Sequence, residues 1–259
     1  MLGGMNYLTP AKLAAAAPAA QPLLDKTRGL IDTSAFVKYI TDTLGHRPVM
    51  AVQGKPHGDV PSRQRQFHLA KRERKGRHMI VCADANGRAT VLLNSHTVRR
   101  KAWLGAGFFR TQEADPGGLL LVGVAIPLQR WRGPEEAVEQ LERFRPVLNM
   151  AREQMRDYKL KDQRTVDHLA EEISRQAYLP EHKAIGPEQL LTAWSLNLYD
   201  TLFGMLARVI EGNQPAADPS RRKVKPVRGP DALMHAANTI YNIGADMVGS
   251  HPLPTYRKT

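Results

Sequence analysis

Residues 79–93 constrain the fold more than any other stretch of the chain. Two short apolar runs, 79–83 (MIVCA) and 89–93 (ATVLL), flank Asp84-Ala85-Asn86-Gly87. An Asn-Gly pair between apolar runs marks the turn of an antiparallel hairpin, because both residues tolerate the positive φ that a tight reversal needs. Residues 49–53 read as a strand ahead of this hairpin. Residues 119–126, behind the turn Pro116-Gly117-Gly118, read as a fourth strand. Residues 99–110 begin like a helix and then carry Gly105 and Gly107, so a shortened helix or a close-packed turn is expected there.

Helical spacing brackets this strand-rich part. Thr9 and Pro10 suit the start of an alanine-rich helix that Pro18 ends. Phe36, Val37, Ile40 and Leu44 share one helical face, and Gly45 suits the stop. From Pro134 onward the pattern is helical throughout. Val138, Leu141 and Phe144 share a face, Pro146 kinks or restarts the helix, and Leu148, Ala151, Met155 and Tyr158 continue the stripe. Leu169 and Ile173 belong to a segment ending before Pro180. Residues 187–211 read as one helix with Leu191, Trp194, Leu198, Leu202, Met205 and Val209 inward, and 231–248 as the last amphipathic helix. The expected class is α+β: a small antiparallel sheet of three to four strands in the N-terminal half, packed with helices, and a helical C-terminal half. Residues 1–133 form the sheet-containing basic region and 134–259 the helical region, joined as one continuous domain.

Charge narrows the function classes. The chain has 37 Lys/Arg against 25 Asp/Glu, a formal net charge of +12. Much of the excess is local. Residues 61–77 read PSRQRQFHLAKRERKGR, with Arg63, Arg65, Lys71, Arg72, Arg74, Lys75 and Arg77 against the single acid Glu73. Arg99, Arg100 and Lys101 follow the third strand, and Arg221, Arg222 and Lys223 stand in a Pro-rich connection. Such clusters concentrate anionic partners, and nucleic acid rewards them by releasing condensed counterions. The competing reading is a solvated basic loop with no partner. Asn94-Ser95-His96 ends the third strand beside Arg99. These residues either hold a turn through side-chain to backbone bonds or contact phosphate and base, with Asn94 and His96 as the contacting groups. Trp131, between Arg130 and Arg132, either stacks on a base or packs inward. Trp103 and Trp194 are expected in the core.

Other chemistries find little support. Cys82 is the single cysteine, in an apolar run, and reads as a buried thiol. His68, His78, Cys82 and His96 match no zinc spacing. No phosphate-binding glycine loop and no Gly-x-Ser-x-Gly elbow occurs. Carboxylates near the strands are sparse (Asp59, Glu73, Asp84), whereas a metal nuclease needs converging acids. No catalytic residue, metal or cofactor is therefore expected. No window reaches the roughly 18 apolar residues of a membrane span, so a cytoplasmic protein without membrane contact is expected. The apolar helical stripe is expected to support a homo-oligomer.

Several segments in order resemble one family. Leu8-Thr9 with Leu13 and Ala17-Pro18 resembles its opening helix, and residues 31–48 resemble its IPT…L…G…P segment. Leu92-Leu93-Asn94-Ser95-His96 resembles its L-N-S-H-D-G motif, and Gly107-Phe108-Phe109-Arg110 its G-L-F-R. The stretch 194–212 and Val227-Arg228-Gly229 with Asp231 resemble its tryptophan helix and V-R-G-x-D segment. This is the phage/plasmid-like protein family (domain of unknown function 932), and the resemblance spans about residues 8–248. Thr97-Val98 stands where the family has Asp-Gly, and residues 111–116 replace its C-x-N-G. The resemblance implies a setting in mobile DNA.

The expected function is non-enzymatic nucleic-acid binding for a phage or plasmid, most sharply single-stranded DNA binding and annealing in recombination. Helix, three strands and helix, with basic connections, is similar to the core order of the Redβ- and Rad-type annealing proteins. The alternatives are a protein-binding modulator of host defence or replication, and a metal-dependent nuclease.

Overall fold

The computed structural model describes residues 6–7, 33–53, 77–95, 101–112, 115–128, 134–179, 184–212, 227 and 229–257. The hairpin at Asn86-Gly87 forms, with Gly87 alone and not Asn86 at positive φ. Asp84 Oδ1 accepts from the backbone N–H of Asn86 (2.9 Å) and of Arg88 (2.8 Å), and Gly87 takes φ 74°. The strands it joins, β3 (Arg77–Ala83) and β4 (Arg88–Ser95), lie in a meander with β1 (Asn6–Tyr7), β2 (Arg47–Gln53), β5 (Ala102–Gln112) and β6 (Asp115–Leu128). The order is β1-β2-β3-β4-β5-β6, and every neighbouring pair is antiparallel. The sheet is thus larger than the three to four strands expected.

The added strands are the two-residue β1 and, where a helix or turn was expected, β5. Its glycines are there for close approach. A Cβ on Gly107 would stand 1.9 Å from the Leu121 carbonyl oxygen, and one on Gly105 would stand 3.1 Å from Met234 Cε. The register slips between Ala106 and Gly107, so that Gly123 of β6 is the extra residue of a bulge. Its missing side chain admits Leu148 and Tyr241.

Helices cover both faces. On one side α1 (Thr33–Leu44) buries Phe36 and Ile40 and ends at Gly45, φ 69°. Next come α2 (Pro134–Glu142) and α3 (Arg145–Asp157), so the chain restarts its helix at Pro146. Then follow α4 (Gln163–Gln176), α5 (Pro187–Leu190), α6 (Leu198–Glu211) and α7 (Pro230–Met247). The last of these packs along β6, on the face of β3 opposite α1. One cluster of buried residues runs from Phe36 to Tyr256 through strands and helices alike.

The single helix expected over 187–211 is broken. After α5 and a short 3-10 turn (Leu191–Ala193), Trp194 turns extended at φ −61°, ψ 134° and is 41% exposed, not core. The physical reason is a competing start signal. The Asn197 side chain accepts from the Asp200 N–H (2.8 Å) and caps α6, while Leu196 and Leu198 bond the backbone of Leu160 and Tyr158. Leu198, Leu202, Met205 and Val209 then point inward as expected.

The edge strand β6 is sealed by the C-terminal tail. Ala125 donates its N–H to the Pro254 carbonyl (2.8 Å). Asn238 of α7 donates to the Val122 carbonyl (2.8 Å) and accepts from the Tyr256 N–H (2.7 Å). An open edge would otherwise template pairing with another chain.

Two outcomes follow from this packing. Gly107→Ala forces β5 off β6 and is expected to cost about 1–3 kcal/mol, read as a lower urea midpoint. The second concerns His46, which is buried and bonds Thr90 Oγ1 (3.1 Å), itself held by Arg145 (3.1 Å). Burial, then the Arg145 charge, pulls the His46 pKa below its ordinary 6.5. The unfolded chain therefore binds the extra proton first. The contribution of the neutral ring is complete above pH 6.5 and is lost as pH falls from 6.5 through the lower folded value. Urea midpoints should decline from about pH 7.5 to about pH 5, and His46→Gln should flatten that decline.

Candidate nucleic-acid interface

The antiparallel register brings the ends of the strands together. Gln53 lies opposite His78, Arg77 opposite Ser95, and Ala102 opposite Leu128. The end of β2, the start of β3, the end of β4, the start of β5 and the end of β6 therefore share one end of the sheet. Chain continuity roots residues 54–76, 96–100 and 129–133 at that end. Residues 213–228 connect α6 to α7, and their root is close by. Val227 donates its N–H to the Ile210 carbonyl (3.1 Å), and Asp231, in the first turn of α7, meets Arg77.

These four segments hold nearly all the imbalance of charge. They contain 16 Lys/Arg and three Asp/Glu, a net +13, while the remainder of the chain, with 21 and 22, carries −1. Lys101, the residue before β5, is exposed beside them.

Buried polar contacts fasten the roots to one another. Arg77 is 3% exposed. Its Nε and Nη2 donate to Asp231 Oδ1 (3.0 and 2.6 Å), and its Nη1 donates to the Lys101 carbonyl (2.7 Å). The Tyr256 hydroxyl donates to the same Asp231 oxygen (2.6 Å), and its ring meets Trp103 edge to face at 5.0 Å. Burial, then the Asp231 carboxylate, pushes the Tyr256 phenol above its ordinary range, so it stays a donor. One guanidinium thus touches the roots of three of the four basic segments.

This corrects the expectation for Arg77. It is the first residue of β3 and faces α7, so its charge is consumed inside the protein. Asn94 is likewise interior, at 1% exposure. Its Nδ2 donates to Thr33 Oγ1 (2.9 Å), which also bonds His78 Nε2 (2.8 Å). A hydroxyl beside a histidine can serve as a nucleophile, but Thr33 is fully buried, with its hydroxyl bonded to Asn94 and His78. The trio fastens the start of α1 to β3 and β4 at the same end of the sheet. Trp103 is buried, as expected.

Arg63, Arg65, Lys71, Arg72, Arg74, Lys75, His96, Arg99, Arg100, Trp131, Arg221, Arg222 and Lys223 lie outside the described residues. Tyr256 and Asn238 were not singled out from sequence, and Asp231 only as the acid of the V-R-G-x-D resemblance. Asp231 follows Gly229-Pro230, which reads only as a helix start. Among the described residues no group of three or more His, Cys, Asp or Glu is placed to hold a metal ion, and no helix is long and apolar enough to cross a membrane.

Burial makes the Arg77–Asp231 pair asymmetric under mutation. Arg77→Met leaves a buried carboxylate without its cation and is expected to cost about 3–5 kcal/mol. The double variant Arg77→Met/Asp231→Leu should be more stable than Arg77→Met alone. Urea unfolding of both variants checks this, and equal losses would contradict an ion-paired root.

No protein-family model, no curated protein and no solved structure matches the chain.

Proposed function

We propose that the basic end of the sheet binds nucleic acid, and that its preferred form is single-stranded DNA held by the phosphate backbone. What carries this reading is the segregation of charge: a net +13 on four segments rooted together, against −1 on everything else. Such a concentration of Lys/Arg releases counterions from a polyanion and gives binding with a steep salt dependence. The preference for a single strand rests on Trp131 and Phe67, which interleave with Arg in these segments. Aromatic rings stack on any unpaired base for about 1–3 kcal/mol each, without reading sequence. A strand held by its phosphates leaves base edges open for pairing, which is the physical basis of annealing. The protein then acts by binding alone, in the phage or plasmid setting that the sequence resemblance implies.

The test is binding to matched single- and double-stranded DNA across a salt series, with annealing of complementary strands scored in the same samples. The expected result is tighter single-strand binding and faster annealing. Replacing Arg72, Arg74 and Lys75 together by Gln should weaken binding. It should also flatten the log–log salt slope by about 2, at about 0.7 per lost phosphate contact. An unchanged slope would remove residues 71–75 from the interface. No binding to either form at low salt would overturn the reading in favour of an acidic protein partner.

A further inference from the structure

The end of the molecule opposite the basic segments carries an apolar patch of a different kind. Among the described residues the exposed large hydrophobic side chains are Met150 (49%), Tyr158 (36%), Trp194 (41%) and Leu196 (81%). Three of them belong to one small framework. Lys159 pairs with Asn197, Leu160 donates its N–H to the Leu196 carbonyl (3.2 Å), and Leu198 donates to the Tyr158 carbonyl (3.0 Å). Met150 stands two turns upstream of Tyr158 on α3.

The framework is rigid. Thr201, fully buried, accepts from the Ser195 N–H (3.0 Å) and donates to the Asn197 carbonyl (2.9 Å), while Asn197 caps α6. Trp194 and Leu196 are therefore held out from the surface by a fixed backbone, so contact there orders side chains and little backbone.

Position and charge say what fits the patch. Arg110, toward the far end of β5, pairs with Asp200 in the first turn of α6, and Phe108 packs on Tyr199 at 6.1 Å. The start of α6 thus lies at the turn end of the sheet, and its 14 residues separate the patch from the Val227 root by about 21 Å. That exceeds the Debye length of about 8 Å at physiological salt. The exposed charges that flank Tyr158 in the chain are of both signs: Glu153, Asp157 and Asp162 with Arg156, Lys159, Lys161 and Arg164. Two copies of a +12 chain repel through their basic ends, whereas this end presents apolar groups beside charges of both signs.

We propose that this patch is a contact surface for a second copy of the chain, in a two-fold arrangement that sets Trp194 and Leu196 of one copy against the same patch of the other. A two-fold contact uses one surface twice and closes. Exposed Trp and Tyr have the composition of an interface centre. The pairing turns the two basic ends outward in opposite directions. It does not depend on the nucleic-acid reading and is tested without nucleic acid.

Sedimentation velocity of the full chain, stripped of nucleic acid in high salt, should show a mass rising with concentration toward twice 28.8 kDa. Leu196→Glu should weaken self-association by at least roughly tenfold. Its circular dichroism should be unchanged, and its unfolding midpoint should equal the wild type's at concentrations where the wild type is monomeric, because the side chain is 81% exposed. Leu196→Met should associate like the wild type. A wild-type monomer at every concentration would overturn the proposal, as would a dimer that survives both Leu196→Glu and Trp194→Ser. A monomer in which Leu196→Glu lowers the midpoint would also overturn it, since a segment of the same chain would then cover the patch.

Discussion

The architecture turns on the buried ion pair between Arg77 and Asp231. A charge removed from water is costly unless its partner and its remaining hydrogen bonds are all supplied. Here the supply comes from four places: the first residue of β3, the first turn of α7, the carbonyl ahead of β5, and a tyrosine in the tail. None of these elements can shift without stranding a charge. The pair therefore fixes the sheet against its last helix. It also fixes the points from which the basic segments depart, which is how an interior contact determines the layout of an exterior surface.

What the sequence discloses and what it hides follow a physical division. The hairpin at Asn86-Gly87, the stop at Gly45 and the restart at Pro146 are local events, written in adjacent residues, and they stand as read. The strand at β5 was hidden because Gly105 and Gly107 look like breakers in isolation. Their purpose appears only with Leu121 and Met234, supplied by β6 and α7. Trp194 misled because helical spacing ran through it, although Asn197 and Asp200 spelled a new start three residues on. Arg77 was indistinguishable from the arginines before it in the chain. Only a strand beginning at that residue, and a carboxylate 154 positions away, draw it inside. Asn94 was read as a turn or contact residue, and its partner Thr33 lies 61 positions earlier. The clustering of charge was legible from composition; that its segments share one end of the sheet was not, because it depends on the register of the strands.

The molecule is polar in the literal sense. The segments that hold its charge imbalance depart from one end of the meander, and the exposed apolar groups among the described residues lie toward the other, with α6 running between them. Arg110 and Arg156 beside Tyr199 near the second end do not contradict this, because Asp200 and Glu153 neutralise them and the aromatic faces absorb what remains. An arrangement of this kind lets the two ends answer to different partners, one sensitive to salt and one to apolar contact, with the shared core insulating each from the other.

The separation in sequence between Arg77 and its carboxylate also bears on how the chain is made. A ribosome adding about 5–20 residues per second delivers Asp231 roughly 8–30 s after Arg77. The hairpins from β2 to β6 join near neighbours and can pair on their own timescale of microseconds. Through that interval the nascent sheet carries an unanswered guanidinium on the face α7 will cover, and β6 lacks the tail that seals its edge. A half-made chain is thus an open, cationic sheet in a compartment rich in RNA. The lock that organises the finished protein is, during synthesis, its most exposed vulnerability.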